Sequence, residues 1–151
     1  MKTVTVQSLA DYNYAMLVTD GRHAWVADEP AADGGDDLGP SLYELLLSAL
    51  GSCVGITLLM YARRKQWPLY EVSVHLKHEK VSAADCPNCS EEDLRWAGPD
   101  GRIDLITKEI SLRGDLDQQQ VERLVEVADR CPVNRTLQRP AKIVTSVRAG
   151  N

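Results

Sequence analysis

The sequence has no excess of positive charge. Its 17 Lys and Arg residues are outnumbered by 22 Asp and Glu residues, which gives a net charge of −5. Proteins that bind DNA or RNA usually present a basic surface to the phosphate backbone, so we expect no nucleic acid partner. The 151 residues also lack internal repeats and low-complexity segments. We therefore expect one domain over residues 1–151.

The N-terminal residues lack the apolar stretch of a signal peptide, since they read MKTVTVQSLADY. We therefore expect a cytoplasmic protein. Cysteines tend to stay reduced in the cytosol, and a chain of this length does not need disulfides to stabilise its core. The four cysteines then need another explanation, which is metal binding, redox chemistry or packing.

Charge is absent from the segment between Leu45 and Ala62. A helix that is apolar or small on every side is not a surface helix. Its length would suit a membrane span, but Gly51 and Thr57 reduce its apolar character and amphipathic strands flank it. We therefore predict a buried core helix and no membrane. One small sheet covers only one side of such a helix, so we expect a partner subunit to cover the rest in a symmetric dimer.

The remaining pattern predicts an α+β fold with the element order βββ-α-ββ-α-β. Alternating polarity predicts strands over Thr3–Leu9, Tyr12–Thr19, His23–Ala27, Tyr70–Glu79, Arg102–Leu112 and Lys142–Val147. The first three strands would form a β-meander, and the next two a hairpin interrupted by a polar segment. Ser41 and Glu44 have the spacing of a capping box for the central helix. Helical spacing predicts a second helix over Asp115–Arg130, followed by a short turn from Pro132 to Leu137.

Cys53 and Cys131 are candidates for redox chemistry. Cys53 lies within the uncharged helix, where burial alone would leave an inert packing thiol. Cys131 directly precedes Pro132, at the start of a helical turn whose free N–H groups favour a thiolate. A thiolate that a peroxide oxidises to a sulfenic acid can condense with a second thiol to form a disulfide. Packing for Cys53 and a helix-boundary role for Cys131 are the alternatives without chemistry.

Two stretches of the chain resemble the signature regions of the OsmC/Ohr family, named for osmotically inducible protein C and the organic hydroperoxide resistance protein. They read DEPAADGGDDLGPSLYELLLSALGSCVGITLLMYARRKQWPL and GDLDQQQVERLVEVADRCPVNRTL. The resemblance covers most of residues 28 to 148 and is nearest to an OsmC-like branch. It implies an intertwined α+β homodimer, with active sites at the subunit interface and thiol-dependent peroxidase activity toward organic hydroperoxides. It also implies Cys53 as the peroxidatic thiol and Cys131 as the resolving thiol.

The same resemblance implies that an arginine and a glutamate polarise the peroxidatic sulfur, and the candidates are Arg22 and Glu44. A guanidinium beside a buried sulfur would offset its desolvation, and a carboxylate would hold that guanidinium in place. Arg22 has the alternative of a solvated turn residue. Glu44 has the alternative of a helix-start residue, because the Ohr branch has its glutamate one position earlier, where this chain has Tyr43.

Cys86 and Cys89 form a CxxC pair, a spacing shared by zinc sites and redox dithiols. Zinc would need two further ligands. His75 and His78 stand three residues apart on a predicted strand and therefore point to opposite faces, which does not favour a shared metal. We predict no metal site, with Cys86 and Cys89 as weak candidates. A redox pair and an inert exposed pair stay open.

Three functions are compatible with these observations. The first is a cysteine peroxidase in oxidative stress defence, which needs no cofactor, acts on a peroxide substrate and is recycled by a dithiol reductant. The second is a non-enzymatic protein that binds a hydrophobic ligand at the dimer interface. The third is a membrane-anchored or zinc-stabilised structural protein.

Overall fold

The structure is a computed structural model that describes residues 1–87, 89–139 and 141–148. Over these ranges the strands are β1 (Thr5–Ser8), β2 (Met16–Thr19), β3 (Ala24–Ala27), β4 (Leu69–Ser82) and β5 (Arg102–Gly114). The α-helices are α1 (Leu42–Lys65), α2 (Glu91–Leu94), α3 (Gln118–Ala128) and α4 (Pro132–Leu137). The elements give the predicted α+β fold. The one-turn helix α2 is an addition that the sequence pattern did not predict.

Strands β1, β2 and β3 form the predicted antiparallel meander, with Thr5 opposite Thr19 and Leu17 opposite Val26. The turn between β2 and β3 is closed by Asp20, whose carboxylate accepts the N–H groups of residues 22 and 23 at 2.8 and 2.7 Å. Gly21 supplies the positive φ of 87° that this turn requires. The tight turn therefore has a local cause in the sequence.

Helix α1 begins as the capping pattern predicts. The N–H and the hydroxyl of Ser41 both donate to the Glu44 carboxylate, at 2.7 and 2.9 Å. The helix ends at Lys65, three residues beyond the uncharged segment, because Gln66 adopts a left-handed φ of 56°. The start of the helix was predictable, whereas its end had no glycine to signal it.

Within the single chain α1 is buried along one stripe, at Leu50, Val54, Leu58 and Ala62. One chain therefore covers one side of the helix, and the predicted cover by a partner subunit stays a prediction. Ile56 and Met60 on another face are 58% and 66% exposed. The helix is long and apolar enough to cross a membrane by length and composition, a property that core helices of soluble proteins share.

Strands β4 and β5 form the predicted second hairpin, and the pairing is antiparallel. The Asp115 N–H donates to the Pro68 carbonyl at one end, and the Ala83 N–H donates to the Gly101 carbonyl at the other. Gly114 is required at the first end, because a Cβ there would lie 2.1 Å from the Pro68 carbonyl oxygen.

The described chain divides into two compact units, each made from two separate stretches. The first unit contains Met1–Ala49 and Leu76–Thr107, and its buried residues include Ala15, Val18, Ala27, Asp28 and Ile103. The second unit contains Leu50–His75 and Lys108–Asn151, and its buried residues include Val54, Leu58, Leu124, Val127 and Cys131.

The predicted C-terminal strand over Lys142–Val147 is wrong for the single chain, because residues 141–148 are irregular. Its apolar residues Ile143, Val144 and Val147 are 86%, 79% and 87% exposed. A strand needs a neighbour for its backbone hydrogen bonds, and none of the described segments pairs with this one. Alternating polarity indicates the propensity for a strand but not its partner.

Candidate active site

The two free cysteines differ in burial. Cys53 lies in the middle of α1, beside the buried Val54, and is partly exposed. Cys131 is fully buried at the N-cap of α4, in the second unit like Cys53. The more accessible thiol is therefore Cys53, and the protected one is Cys131.

The backbone at Cys131 directs an N–H group at its sulfur. Cys131 is extended, with φ −63° and ψ 142°, and Pro132 begins the helix directly after it. This geometry lets the Asn134 N–H donate to Cys131 Sγ at 3.3 Å. The free N–H group that the sequence predicted at this helix start is therefore present, and its hydrogen bond lowers the pKa of the Cys131 thiol. Burial raises that pKa by more, so the net effect is a raised pKa.

The structure brings Cys53 and Cys131 together, although they are far apart in the sequence. The Cys53 sulfur is close enough to Cys131 to act on its pKa. After burial, a hydrogen bond and charge repulsion from Cys53 raise the Cys131 pKa further. Two neighbouring thiols resist joint ionisation, because two thiolates at this distance would repel each other. Burial is the largest of the effects that disfavour the Cys131 thiolate.

Lys108 on β5 is the cation of this site. Its ammonium donates to Asp129 Oδ1 at 2.6 Å and to Asn134 Oδ1 at 3.2 Å, and it counteracts the rise in the Cys131 pKa. The Asn134 side chain also donates to the Asp129 carbonyl at 3.0 Å. Lys108 therefore fixes the turn that carries Cys131 and supplies a positive charge near its sulfur.

The sequence analysis missed Lys108, although the sequence contains a signal for it. Lys108 shares the inward-facing register of β5 with Ile110 and Leu112, and its side chain is only 21% exposed. Lysine is rarely found on the apolar face of a strand without a partner. A charged residue in that register indicates a buried acceptor, which here is Asn134, 7% exposed.

Arg22 and Glu44 both lie in the first unit, and their predicted roles stay predictions. Arg22 is exposed in the turn between β2 and β3. The Glu44 carboxylate accepts the Ser41 N–H and hydroxyl, which hold the Glu44 pKa below its usual range. In the described part of the chain, neither an ion pair nor a hydrogen bond joins Arg22 to Glu44.

Cys86 and Cys89 are joined by a disulfide in the first unit. His78 is engaged elsewhere, since it stacks on Tyr43 and its Nε2 lies 2.8 Å from Asp104 Oδ1. Among residues 1–87, 89–139 and 141–148, no group of three or more His, Cys, Asp and Glu residues is placed to hold a metal ion. In this structure the CxxC pair is a disulfide.

The second unit also contains an apolar cavity of about 190 Å³ between α1, β5 and α3. Its lining residues are Leu58, Ile110, Leu112, Val121, Leu124 and Val125. A cavity of this size and lining suits a short hydrocarbon group rather than a charged ligand.

Comparison with known proteins gives one family. The profile of the family described as OsmC-like protein matches residues 34–146. The match therefore covers most of the chain and includes both Cys53 and Cys131. No curated protein sequence matches the chain significantly.

Solved structures with the same fold carry related names. An OsmC-like protein from Mycoplasma pneumoniae has a TM-score of 0.68 at 18% identity, over 91% of this chain and 87% of that chain. An organic hydroperoxide resistance protein OsmC from Legionella pneumophila has a TM-score of 0.62 at 17% identity, over 91% and 89%. The organic hydroperoxide resistance protein OhrB of Bacillus subtilis has a TM-score of 0.55 at 19% identity, over 91% and 90%. At these identities the likeness shows the fold.

Proposed function

The chain belongs to the OsmC-like protein family, and from this premise we propose that it is a thiol-dependent peroxidase that reduces organic hydroperoxides. The observation that carries the proposal is the pairing of a partly exposed Cys53 with a fully buried Cys131 in one unit. The names of the structural relatives from Legionella and Bacillus, both organic hydroperoxide resistance proteins, support the substrate class.

The unequal burial of the two thiols assigns their roles. Burial raises the pKa of Cys131 and keeps it protonated, so Cys53 is the nucleophile that meets the peroxide. Cys131 is protected from solvent and from overoxidation until a sulfenic acid forms beside it. We therefore assign Cys53 as peroxidatic and Cys131 as resolving.

The reaction then has two steps. The Cys53 thiolate attacks one peroxide oxygen, the O–O bond breaks, and the other oxygen leaves as an alcohol after taking a proton. Cys53 is now a sulfenic acid, and the Cys131 sulfur attacks it, releasing water and forming the Cys53–Cys131 disulfide. A dithiol reductant returns both cysteines to thiols by thiol–disulfide exchange.

The test is the linkage formed after oxidation. The reduced protein, treated with one equivalent of cumene hydroperoxide and mapped by mass spectrometry, is expected to contain a Cys53–Cys131 disulfide. The Cys53→Ser variant is expected to lose peroxide consumption, whereas Cys131→Ser should stop at a sulfenic acid. A matched control, Cys86→Ser with Cys89→Ser, should keep the activity. Peroxide consumption by Cys53→Ser at the wild-type rate would refute the proposal.

We further propose that the protein works as a cytoplasmic homodimer with the active site at the subunit interface. The uncovered apolar face of α1, which includes Ile56 and Met60, supports this arrangement. Arg22 and Glu44 are assigned to polarise the Cys53 sulfur, as the family resemblance implies. The roles of Arg22 and Glu44 rest on the family resemblance. The dimer interface rests on the exposure of Ile56 and Met60.

The apolar cavity favours a second candidate, which is binding of a hydrophobic ligand without catalysis. Val125 lines the cavity and is 54% exposed, so Val125→Trp is expected to fill the space with little effect on folding. Under this alternative, the variant should lose binding of a fluorescent fatty acid probe. If the variant instead weakens only the turnover of bulky hydroperoxides, the cavity serves the peroxidase.

A further inference from the structure

The disulfide between Cys86 and Cys89 has no role in the peroxidase cycle described above. It lies in the loop that joins β4 to β5 in the first unit, with Cα atoms 5.6 Å apart. We propose that Cys86 and Cys89 form a second redox centre, a dithiol/disulfide pair that exchanges two electrons with a dithiol reductant. The proposal does not depend on the peroxidase activity.

Hydrogen bonds outside the pair position both cysteines. Cys86 follows a short 3₁₀ turn, Ala83–Asp85, in which the Ala84 N–H donates to the Ser82 hydroxyl at 3.3 Å. Cys89 directly precedes Ser90, which forms a capping box with Asp93 through bonds of 2.8 and 3.2 Å. These caps do not involve the sulfur atoms. The disulfide can therefore open and close while the flanking turns keep their structure.

Both cysteines are accessible to an incoming thiol. Each is only half-buried, and the loop lies on the surface of the unit. Leu94 and Trp96 follow within a few residues and are 39% and 62% exposed. Thiol–disulfide exchange requires an attacking thiolate to reach one sulfur, so this exposure permits the reaction. The exposed Trp96 also provides an apolar contact for a protein reductant.

The charges around the pair make its reduced form a good electron donor. Asp85 adjoins Cys86, Glu91 and Glu92 follow Cys89, and Arg95 is the one basic residue from position 85 to position 95. Negative neighbours disfavour thiolates. A dithiol whose thiolates are not stabilised gives up its electrons more readily than one in basic surroundings. The acidic loop therefore favours the disulfide once an electron acceptor is present.

The exchange balances with one dithiol reductant. A thiolate of the reductant attacks one sulfur of the Cys86–Cys89 bond, the bond breaks, and the released sulfur takes a proton. The second thiol of the reductant then attacks the mixed disulfide and frees the second cysteine. The protein gains two electrons and two protons, and the reductant leaves as a disulfide. In the reverse direction, the protein dithiol reduces a disulfide by the same steps.

A variant without the other two cysteines isolates this centre. The full chain carrying Cys53→Ser and Cys131→Ser is equilibrated in buffers of reduced and oxidised dithiothreitol, and free thiols are trapped with a maleimide and counted by mass spectrometry. We expect both thiols to appear together, in one two-electron transition, while circular dichroism shows a folded protein. Because Cys53 is absent, failure of the peroxidase proposal would leave this result unchanged.

A second variant keeps the test independent of that double substitution. Cys86→Ser in the otherwise native chain releases Cys89 from its disulfide. Cys89 should then form a stable mixed disulfide with a 2-nitrobenzoate thiol reagent, and peptide mass spectrometry separates this adduct from any adduct of the partly exposed Cys53. The proposal is overturned if the disulfide resists reduction until the protein unfolds, if Cys89 does not react in the folded variant, or if the purified protein holds one equivalent of zinc that Cys86→Ser removes.

A comparison of two reductants shows whether the natural dithiol is a protein or a small molecule. With a thioredoxin-type protein as the natural reductant, Trp96→Ala should slow reduction by that protein by about tenfold, the effect of losing an aromatic contact at an interface. Reduction by dithiothreitol should not change. Equal rates in wild type and Trp96→Ala with both reductants would indicate a small dithiol, and either outcome supports exchange at this pair.

Discussion

At the scale of single residues, Lys108 acts on both the charge and the position of Cys131. Its ammonium is the positive group that opposes the rise in the Cys131 pKa, and it also holds Asn134, whose N–H donates to the Cys131 sulfur. Under the proposed mechanism Lys108 is a positioning residue. It acts through Cys131 and does not contact the peroxide.

Lys108→Met is expected to slow the resolving step roughly three- to tenfold at pH 7, the rate equivalent of about 1 kcal/mol for a lost charged hydrogen bond. Cys131 must ionise to attack, and its pKa lies above the ordinary 9.0, so disulfide formation accelerates as pH rises toward that pKa. The variant should shift this pH profile to higher pH, which stopped-flow fluorescence can follow after a peroxide pulse.

The controls separate positioning from general damage to the fold. Lys108→Arg keeps the charge and should restore most of the rate. The first step, oxidation of Cys53, should proceed at the wild-type rate in both variants. An unchanged pH profile in Lys108→Met would remove Lys108 from the site.

At the scale of elements, the loop between β3 and α1 is organised by one buried carboxylate. Asp28 is 1% exposed and accepts the N–H groups of Glu29, Asp36 and Leu38 at 2.8, 3.1 and 3.2 Å. The sequence of this segment, DEPAADGGDDLGP, predicts a loop but does not predict which acidic side chain is buried. The order of this loop is therefore a property of the packed unit.

Asp28→Ala is expected to destabilise the protein by about 1–3 kcal/mol, because it leaves three partly buried N–H groups without their acceptor. Urea unfolding followed by circular dichroism measures the change. Asp28→Asn keeps one acceptor oxygen and should cost less. Asp33→Ala, at an exposed acid of the same loop, is the control. Equal stability of Asp28→Ala and Asp33→Ala would contradict the assigned role.

Local signals in the sequence were sufficient to predict where helices begin, but not where α1 ends. Helix α3 begins at a capping box between Asp117 and Gln120, with hydrogen bonds of 2.8 and 3.0 Å, close to the predicted start at Asp115. The end of α1 at Gln66 had no such signal. Capping side chains act on residues three or four positions away, so the sequence reveals them. The left-handed Gln66 ends α1 through backbone bonds, from the Gln66 N–H to the Arg63 carbonyl and from the Trp67 N–H to the Ala62 carbonyl, and no glycine marks this position in the sequence.

At the scale of the whole molecule, the uncovered face of α1 predicts an obligate partner. Large apolar side chains at Ile56 and Met60 are unusual on the surface of a soluble monomer, and a second copy would remove them from water. We therefore expect the protein to sediment as a dimer at micromolar concentration.

Replacing both Ile56 and Met60 by Glu is expected to convert the dimer to monomer, because charges cannot be buried unpaired in an apolar interface. Analytical ultracentrifugation measures the state. Trp96→Glu, at a comparably exposed apolar residue in the turn after α2, should leave the dimer intact. Dimers that persist in the α1 variant would place the interface elsewhere.

Local patterns in the sequence were enough for the α+β class, the meander, the second hairpin, the helix starts and the choice of Cys53 and Cys131 as candidates. These features depend on periodicity, capping and turn residues, which act over a few positions. Packing alone decided that Cys53 and Cys131 are neighbours, that Lys108 serves Cys131, and that residues 141–148 are not a strand in one chain. Each depends on which distant segments meet, and burial and charge then act on the groups brought together.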